Sequence, residues 1–144
     1  MTEMSGNSGT HSLAIVVTYF PDTAALLKLL GQLNKETDFI VIDNGTPNIQ
    51  ELIESIQVYE RCIELRQLKE NLGLARALNI GIEQALSLGC DYVFLFDQDS
   101  SLCDMFVNRM ISAYRDALRL SDYALSLIHI SEPTRQAEIS YAVF

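Results

Sequence analysis

Basic residues are scarce in this chain. Ten Lys and Arg stand against nineteen Asp and Glu over 144 residues, a formal net charge of -9. A positive footprint for nucleic acid is therefore missing, and no nucleic-acid partner is expected. Long apolar runs are lacking too, and none approaches the ~20 residues of a membrane span. Met1–Ser12 is polar, with no basic flank and no apolar stretch, so it reads as a disordered tail rather than a signal peptide. The three cysteines, Cys62, Cys90 and Cys103, are too few and too far apart for a zinc site and read as free thiols of a reducing cytosol. No Ser–His–Asp triad is legible, because one of the two histidines, His11, falls in the tail and the other, His129, near the end. The chain also lacks a phosphate-cradling loop of the triphosphatase type and a G-x-G-x-x-G after its first strand. What remains is ordinary: 49% hydrophobic and 20% charged residues, enough for one domain and one core.

The last twenty residues are set aside. Leu125–Arg135 reads LSLIHISEPTR, and a back-translation matches, codon for codon, the transposase adapter used in short-read sequencing libraries. Ile139–Phe144, ISYAVF, resembles the continuation of that adapter, and Gln136–Glu138 leave nine bases between for a sample index and one fixed base. Residues 125–144 are thus expected to be a non-native tail, although the stretch is apolar enough to form a strand. The natural chain is then expected to be cut near Ala124, in mid-helix. Without Glu132, Arg135 and Glu138 the balance is 9 basic against 17 acidic residues, still acidic at -8.

Within residues 13–124 apolar runs alternate with helical patterns. Leu13–Thr18, LAIVVT, is a continuous apolar run suited to a strand covered on both faces. Asp22 or Thr23 can cap a following helix in which Leu26, Leu30 and Leu33 recur, with Leu27 beside them. Phe39–Ile42 predicts a second strand, stopped by Asp43-Asn44-Gly45. Asn48–Gln57 predicts a short helix and Cys62–Leu65 a weaker third strand. Leu74–Leu88 is the strongest helix: Leu74, Leu78, Ile82 and Ala85 share a face, and Gly89 suits a left-handed C-terminal cap. Tyr92–Phe96, YVFLF, is a fourth strand. Phe106, Met110, Ala113, Ala117 and Leu120 then step along a final helix. Strict alternation with double-sided apolar strands predicts an α/β fold, a mostly parallel sheet with flanking helices. Such sheets bind ligands at the carboxyl ends of their strands, near a switch in strand order. Those ends carry Thr18/Tyr19, Asp43/Asn44 and Asp97/Gln98/Asp99.

Two carboxylates at i and i+2 on a loop, Asp97 and Asp99, can aim at one point and supply the few hard oxygen ligands that Mg²⁺ or Mn²⁺ needs. The alternative is a solvated acidic turn, with Asp99 or Ser100 capping the next helix. A buried strand before the pair favours function, because acids abutting it are costly unless paired or metal-bound. Asp43 could accept from a base N–H or a ribose hydroxyl, though Asn44-Gly45 also explains a plain turn. Asn71-Leu72-Gly73 opens the strong helix. Gly73 permits close backbone approach, and Arg76 could reach a phosphate or simply face solvent.

Taken together, VVTYFPD (Val16–Asp22), VIDNGT (Val41–Thr46), NLGLARALNIGIEQAL (Asn71–Leu86) and YVFLFDQDS (Tyr92–Ser100) resemble family-2 inverting glycosyltransferases, and the DQDS form is similar to bacterial rhamnosyltransferases. Phe20 departs from the pattern, since many members carry Asn after the Tyr. The resemblance implies a glycosyltransferase A-type, Rossmann-like fold, here truncated to the donor-binding half. It implies that Thr18, Tyr19 and Asp43 hold the nucleoside and that Asn71, Gly73 and Arg76 line the nucleotide pocket. Asp97 would contact the ribose or the metal shell, and Asp99 would bind Mg²⁺ or Mn²⁺ bridging the diphosphate. The implied donor is dTDP-rhamnose. The implied acceptor is a saccharide or lipid-linked saccharide of cell-surface polysaccharide, in the cytoplasm or peripherally at the inner face of the membrane. The catalytic base of such enzymes is expected beyond Ala124; nothing nominates Asp104, Asp116 or Asp122, so the chain alone is expected to be inactive. Two rivals are a receiver-like phosphoacceptor domain, which would want its acid pair after the first strand, and an inert fragment whose open sheet edge invites aggregation.

Overall fold

The structure, a computed structural model, describes residues 9–120 and 140–143. Strands and helices alternate as β1 (Ser12–Thr18), α1 (Thr23–Leu33), β2 (Asp38–Asp43), α2 (Gln50–Ile56), β3 (Cys62–Gln67), α3 (Leu74–Ser87), β4 (Tyr92–Asp97) and α4 (Phe106–Leu120), with β5 at Ser140–Val143. All strand pairs are parallel, in the order β3-β2-β1-β4-β5. Ser12, assigned from sequence to the tail, opens β1, whose seven residues are all buried. β3 is the weak strand for a physical reason. Among the described residues it pairs only with β2, and it carries Glu64 and Arg66 on one face, where they bond at 2.8 Å.

Of the segment set aside as adapter-like, Leu125–Arg135 lies outside the described residues. Four residues further on, Ser140–Val143, run parallel along β4. The edge expected to be open is thus paired: an exposed strand edge offers free N–H and C=O groups to any extended segment.

Alternate side chains of the central strands feed two cores. Ala14, Val16, Phe39, Val41, Phe94 and Phe96 meet α1, α2 and α4 through Leu26, Leu29, Leu30, Leu33, Leu52, Ile56, Val107 and Ile111. Leu26, Leu29, Leu30 and Leu33 of α1 are fully buried and each contributes about 2 kcal/mol of hydrophobic stabilisation, while Leu27 is half-buried beside them. Leu13, Ile15, Val17, Ile40, Ile42, Val93 and Leu95 meet the single helix α3. Here the expected face is shifted. Leu74 is exposed, Leu78 and Ile82 are half-buried, and the residues against the sheet are Ala77, Gly81 and Ala85. One helix covering the middle of a sheet must lie close to it, and a Cβ on Gly81 would stand 2.6 Å from Ile15 Cγ2. Gly89 ends the helix at φ 68°, as its position predicted.

Caps show where local reading succeeds. Asp22 caps α1 by accepting from Ala25 N at 2.9 Å. Neither Asp99 nor Ser100 caps α4, which starts six residues later; Glu36, beyond the end of α1, reaches Val107 N at 3.4 Å and Asn108 N at 3.3 Å. The buried stripe of α4 is Val107 and Ile111, with Phe106 and Met110 beside it and Ala113 and Leu120 exposed.

The amino ends of the strands are closed by polar contacts. His11 exchanges main-chain and carboxylate bonds with Asp91, at 2.7 Å and 2.9 Å, and its Nε2 lies 3.5 Å from Asp38 Oδ2. Arg61 Nε donates to Asp38 Oδ1 at 3.0 Å. The cysteines are free, and burial pushes the thiols of Cys62 and Cys90 up from their usual range.

Candidate functional site

The chain runs outward from β1 to β2 and β3, then returns to add β4 on the other side of β1. The connections therefore part between β1 and β4, which leaves a crevice at the carboxyl ends. A cleft of about 480 Å³ opens there. Its wall is formed by Val17, Thr18 and Tyr19 from the end of β1, Asn44 after β2, Asn71, Gly73 and Leu74 at the start of α3, Asp97 at the end of β4, and Gln98 and Asp99 after it. The acids sit on a turn closed by Ser100 N donating to Asp97 O at 3.0 Å.

The loops round the cleft are fastened to one another. Asn44 Nδ2 donates to Asn71 Oδ1 at 3.0 Å, and Asn44 Oδ1 accepts from Leu72 N at 2.9 Å. Asn71 Oδ1 also accepts from Gly73 N at 2.8 Å. Two donors on one atom identify it as the oxygen, which leaves Asn71 Nδ2 a spare donor on a residue of the cleft wall. Gly45 makes the joint possible: at φ 92°, a Cβ there would lie 2.6 Å from Glu70 C. Phe20 sits in the left-handed region at φ 44°, its N–H held by Thr46 Oγ1 at 2.9 Å. The Tyr19 and Phe20 rings, both exposed, meet edge to face at 4.7 Å.

Of the residues singled out from sequence, Thr18, Tyr19, Asn71, Gly73, Asp97 and Asp99 come together on this wall. Asp43 and Arg76 do not. Asp43 is wholly buried and engaged internally: Oδ1 accepts from Thr18 Oγ1 at 2.8 Å and Oδ2 from Thr46 N at 2.8 Å. Its carboxylate pins the ends of β1 and β2 beneath the wall. Arg76 is exposed on the first turn of α3, off the wall. Sequence reasoning assigned no role to Asn44, Leu74 or Gln98. Asn44 was read as half of a turn and Leu74 as core, while the fastening to Asn71, 27 residues on, leaves no local signal.

Asp97 and Asp99 are both exposed. The desolvation cost expected from the buried strand behind them does not arise, and with it goes one argument for a bound ion. Another stands: neither carboxylate has a hydrogen bond or ion pair among the described residues, so both remain available as ligands. Among those residues no group of three or more His, Cys, Asp and Glu converges on one point. Two carboxylates suit Mg²⁺ or Mn²⁺, which takes its remaining ligands from water and substrate phosphate, and they do not suit a protein-only cage.

Comparison with known proteins agrees with this geometry. The model for glycosyl transferase family 2 matches residues 15–132, ending inside the segment set aside above. A dTDP-rhamnosyl transferase of Shigella flexneri is 32% identical over 103 residues, 72% of this chain and 34% of that protein. A galactofuranosyltransferase of Mycobacterium tuberculosis is 31% identical over 130 residues, 86% of this chain and 42% of that protein. Another from Mycolicibacterium smegmatis is 27% identical over 128 residues, covering 86% and 41%. The chain spans between 34% and 42% of the length of these relatives. The receiver-like alternative fails on the same ground as its acids, which stand after β4 instead of β1. By the extent of its match and the arrangement of its strand ends, the chain belongs to glycosyl transferase family 2.

Proposed function

We propose that residues 13–124 form the donor-binding half of an inverting rhamnosyltransferase that takes dTDP-rhamnose. The observation that carries this reading is the pair of acids, Asp97 and Asp99, unpartnered among the described residues, on one cleft wall with the spare donor of Asn71 and the start of α3. Asp97 and Asp99 would hold a divalent cation on the donor's diphosphate. When bound, that cation supplies Lewis-acid stabilisation of the charge developing on the leaving diphosphate, worth several kcal/mol. Asn71 Nδ2 and the first N–H groups of α3 offer donors to the same oxygens. Tyr19 presents an exposed aromatic ring at the rim, and buried Asp43 keeps the β1 and β2 ends in register beneath it.

The DQDS sequence and the specificity named for the Shigella relative support deoxythymidine diphosphate and rhamnose; galactofuranosyl transfer, named for the mycobacterial relatives, is the competing choice. The acceptor would be a saccharide or lipid-linked saccharide, met in the cytoplasm or at the membrane's inner face. No helix among the described residues is long and apolar enough to cross a membrane. Inversion needs a carboxylate base within reach of the acceptor hydroxyl, and on this reading the base lies beyond Ala124. Residues 125–144 would be the adapter-derived tail, which re-reading the source DNA across codon 124 tests.

The functional test is calorimetric titration of the full chain with deoxythymidine diphosphate and with uridine diphosphate, each with and without Mn²⁺. Saturable binding that needs Mn²⁺ and favours the thymidine nucleotide is expected. Absence of binding by either overturns the donor-half reading, and a preference for uridine overturns the rhamnosyl assignment. Rhamnosyl transfer by this chain would overturn the placement of the base.

A further inference from the structure

Gln98 lies between the two acids, and its side chain turns back onto β1. Its Oε1 accepts from Tyr19 N at 2.8 Å and its Nε2 donates to Tyr19 O at 3.2 Å. Both bonds go to the main chain of one residue. The β1–β4 ladder ends at the pair Val17↔Asp97, where β4 turns away. The Gln98 amide thus stands in for a peptide group and adds a rung that the backbone of β4 no longer provides. Tyr19 is followed by Phe20 in the left-handed region, a conformation that a bulky residue holds only when its surroundings fix it.

We infer that Gln98 is a positioning residue: its amide fixes the spacing between Tyr19 and the pair Asp97/Asp99. This rests on the donor reading above for what is bound, and it sharpens that reading. An aromatic residue at the rim and a cation-binding turn recognise the two ends of a nucleoside diphosphate, and Gln98 is the direct bond between them. A carboxylate in its place could still accept from Tyr19 N–H but would face the Tyr19 carbonyl without a proton.

The test compares Gln98→Leu and Gln98→Glu with the unaltered full chain. One readout is exchange of the Tyr19 amide hydrogen without ligand, normalised to intrinsic rates; the other is affinity for deoxythymidine diphosphate with Mn²⁺. For Gln98→Leu, exchange about tenfold faster and affinity about tenfold weaker are expected. Gln98→Glu keeps an acceptor for Tyr19 N–H and loses the donor to Tyr19 O, so its Tyr19 exchange should lie between that of Gln98→Leu and that of the unaltered chain. Gln98→Leu adds no charge beside the two acids, which separates positioning from a charge effect. Unchanged Tyr19 exchange in both variants overturns the inference, as does unchanged affinity despite faster exchange. If Gln98→Leu does not fold, Tyr19 exchange in Gln98→Glu decides. Failure of the unaltered chain to bind the nucleotide overturns the donor reading instead, and exchange alone then decides whether Gln98 holds Tyr19.

Discussion

At the amino ends of the strands Asp38 lies between Arg61 and His11, and Asp91 accepts from the main chain of His11. At the carboxyl ends the acids divide. Asp43 is buried and bonded twice, whereas Asp97 and Asp99 stand in a cleft with no partner among the described residues. The same residue type therefore does two jobs. Where a carboxylate closes the fold, the fold supplies its donors; where it is left without them, it can hold something from outside. Net charge of -9 reveals neither role, and only the partners tell them apart.

Substitutions can break that contrast, and the largest effect is expected at the joint beneath the cleft. Gly45→Ala combines left-handed strain with a collision against the backbone of Glu70 and should cost about 3 kcal/mol in chemical denaturation. Gly73→Ala, with nothing within 4 Å of its Cβ, should cost only the strain. Next come the cleft acids. Asp97→Asn with Asp99→Asn should weaken Mn²⁺-dependent nucleotide binding on the order of 100-fold while leaving stability within about 0.5 kcal/mol. A large loss of stability would make these acids structural and erase the contrast. At the opposite end Asp38→Asn should do the reverse. It should leave nucleotide affinity unchanged and lower stability by about 0.5 kcal/mol, because the pair with Arg61 is partly exposed, and the loss should shrink in about 1 M salt.

Strand order of elements and the acidic turn were legible in sequence because they depend on local patterning. YVFLF reads as a strand wherever it is buried, and Asp22 caps α1 from three residues away. Contacts that span the chain were not. Glu36 holds the start of α4 from 71 residues away, Asn44 meets Asn71, and Gln98 reaches back 79 residues to Tyr19. The face of α3 was misjudged because hydrophobicity marked Leu74, while the short distance to Ile15 selected Ala77 and Gly81. Phe20 is the converse case. Its departure from the Asn of many family members looked neutral in sequence, yet its φ of 44° is one that Asn adopts more readily than Phe.

The strand order also dictates a history for each newly made molecule. β1 is synthesised first and is the most completely buried strand, but one of its two neighbours, β4, begins only at Tyr92. While β2, β3 and α3 leave the ribosome, the flank of β1 that β4 will cover stays open. Asp97 ends the strand that closes it, and Gln98 and Asp99 follow directly behind. A ribosome that stalls before Tyr92 thus releases a sheet with its middle exposed, and one that reaches Ser100 delivers the closing strand and the ligand-binding turn together.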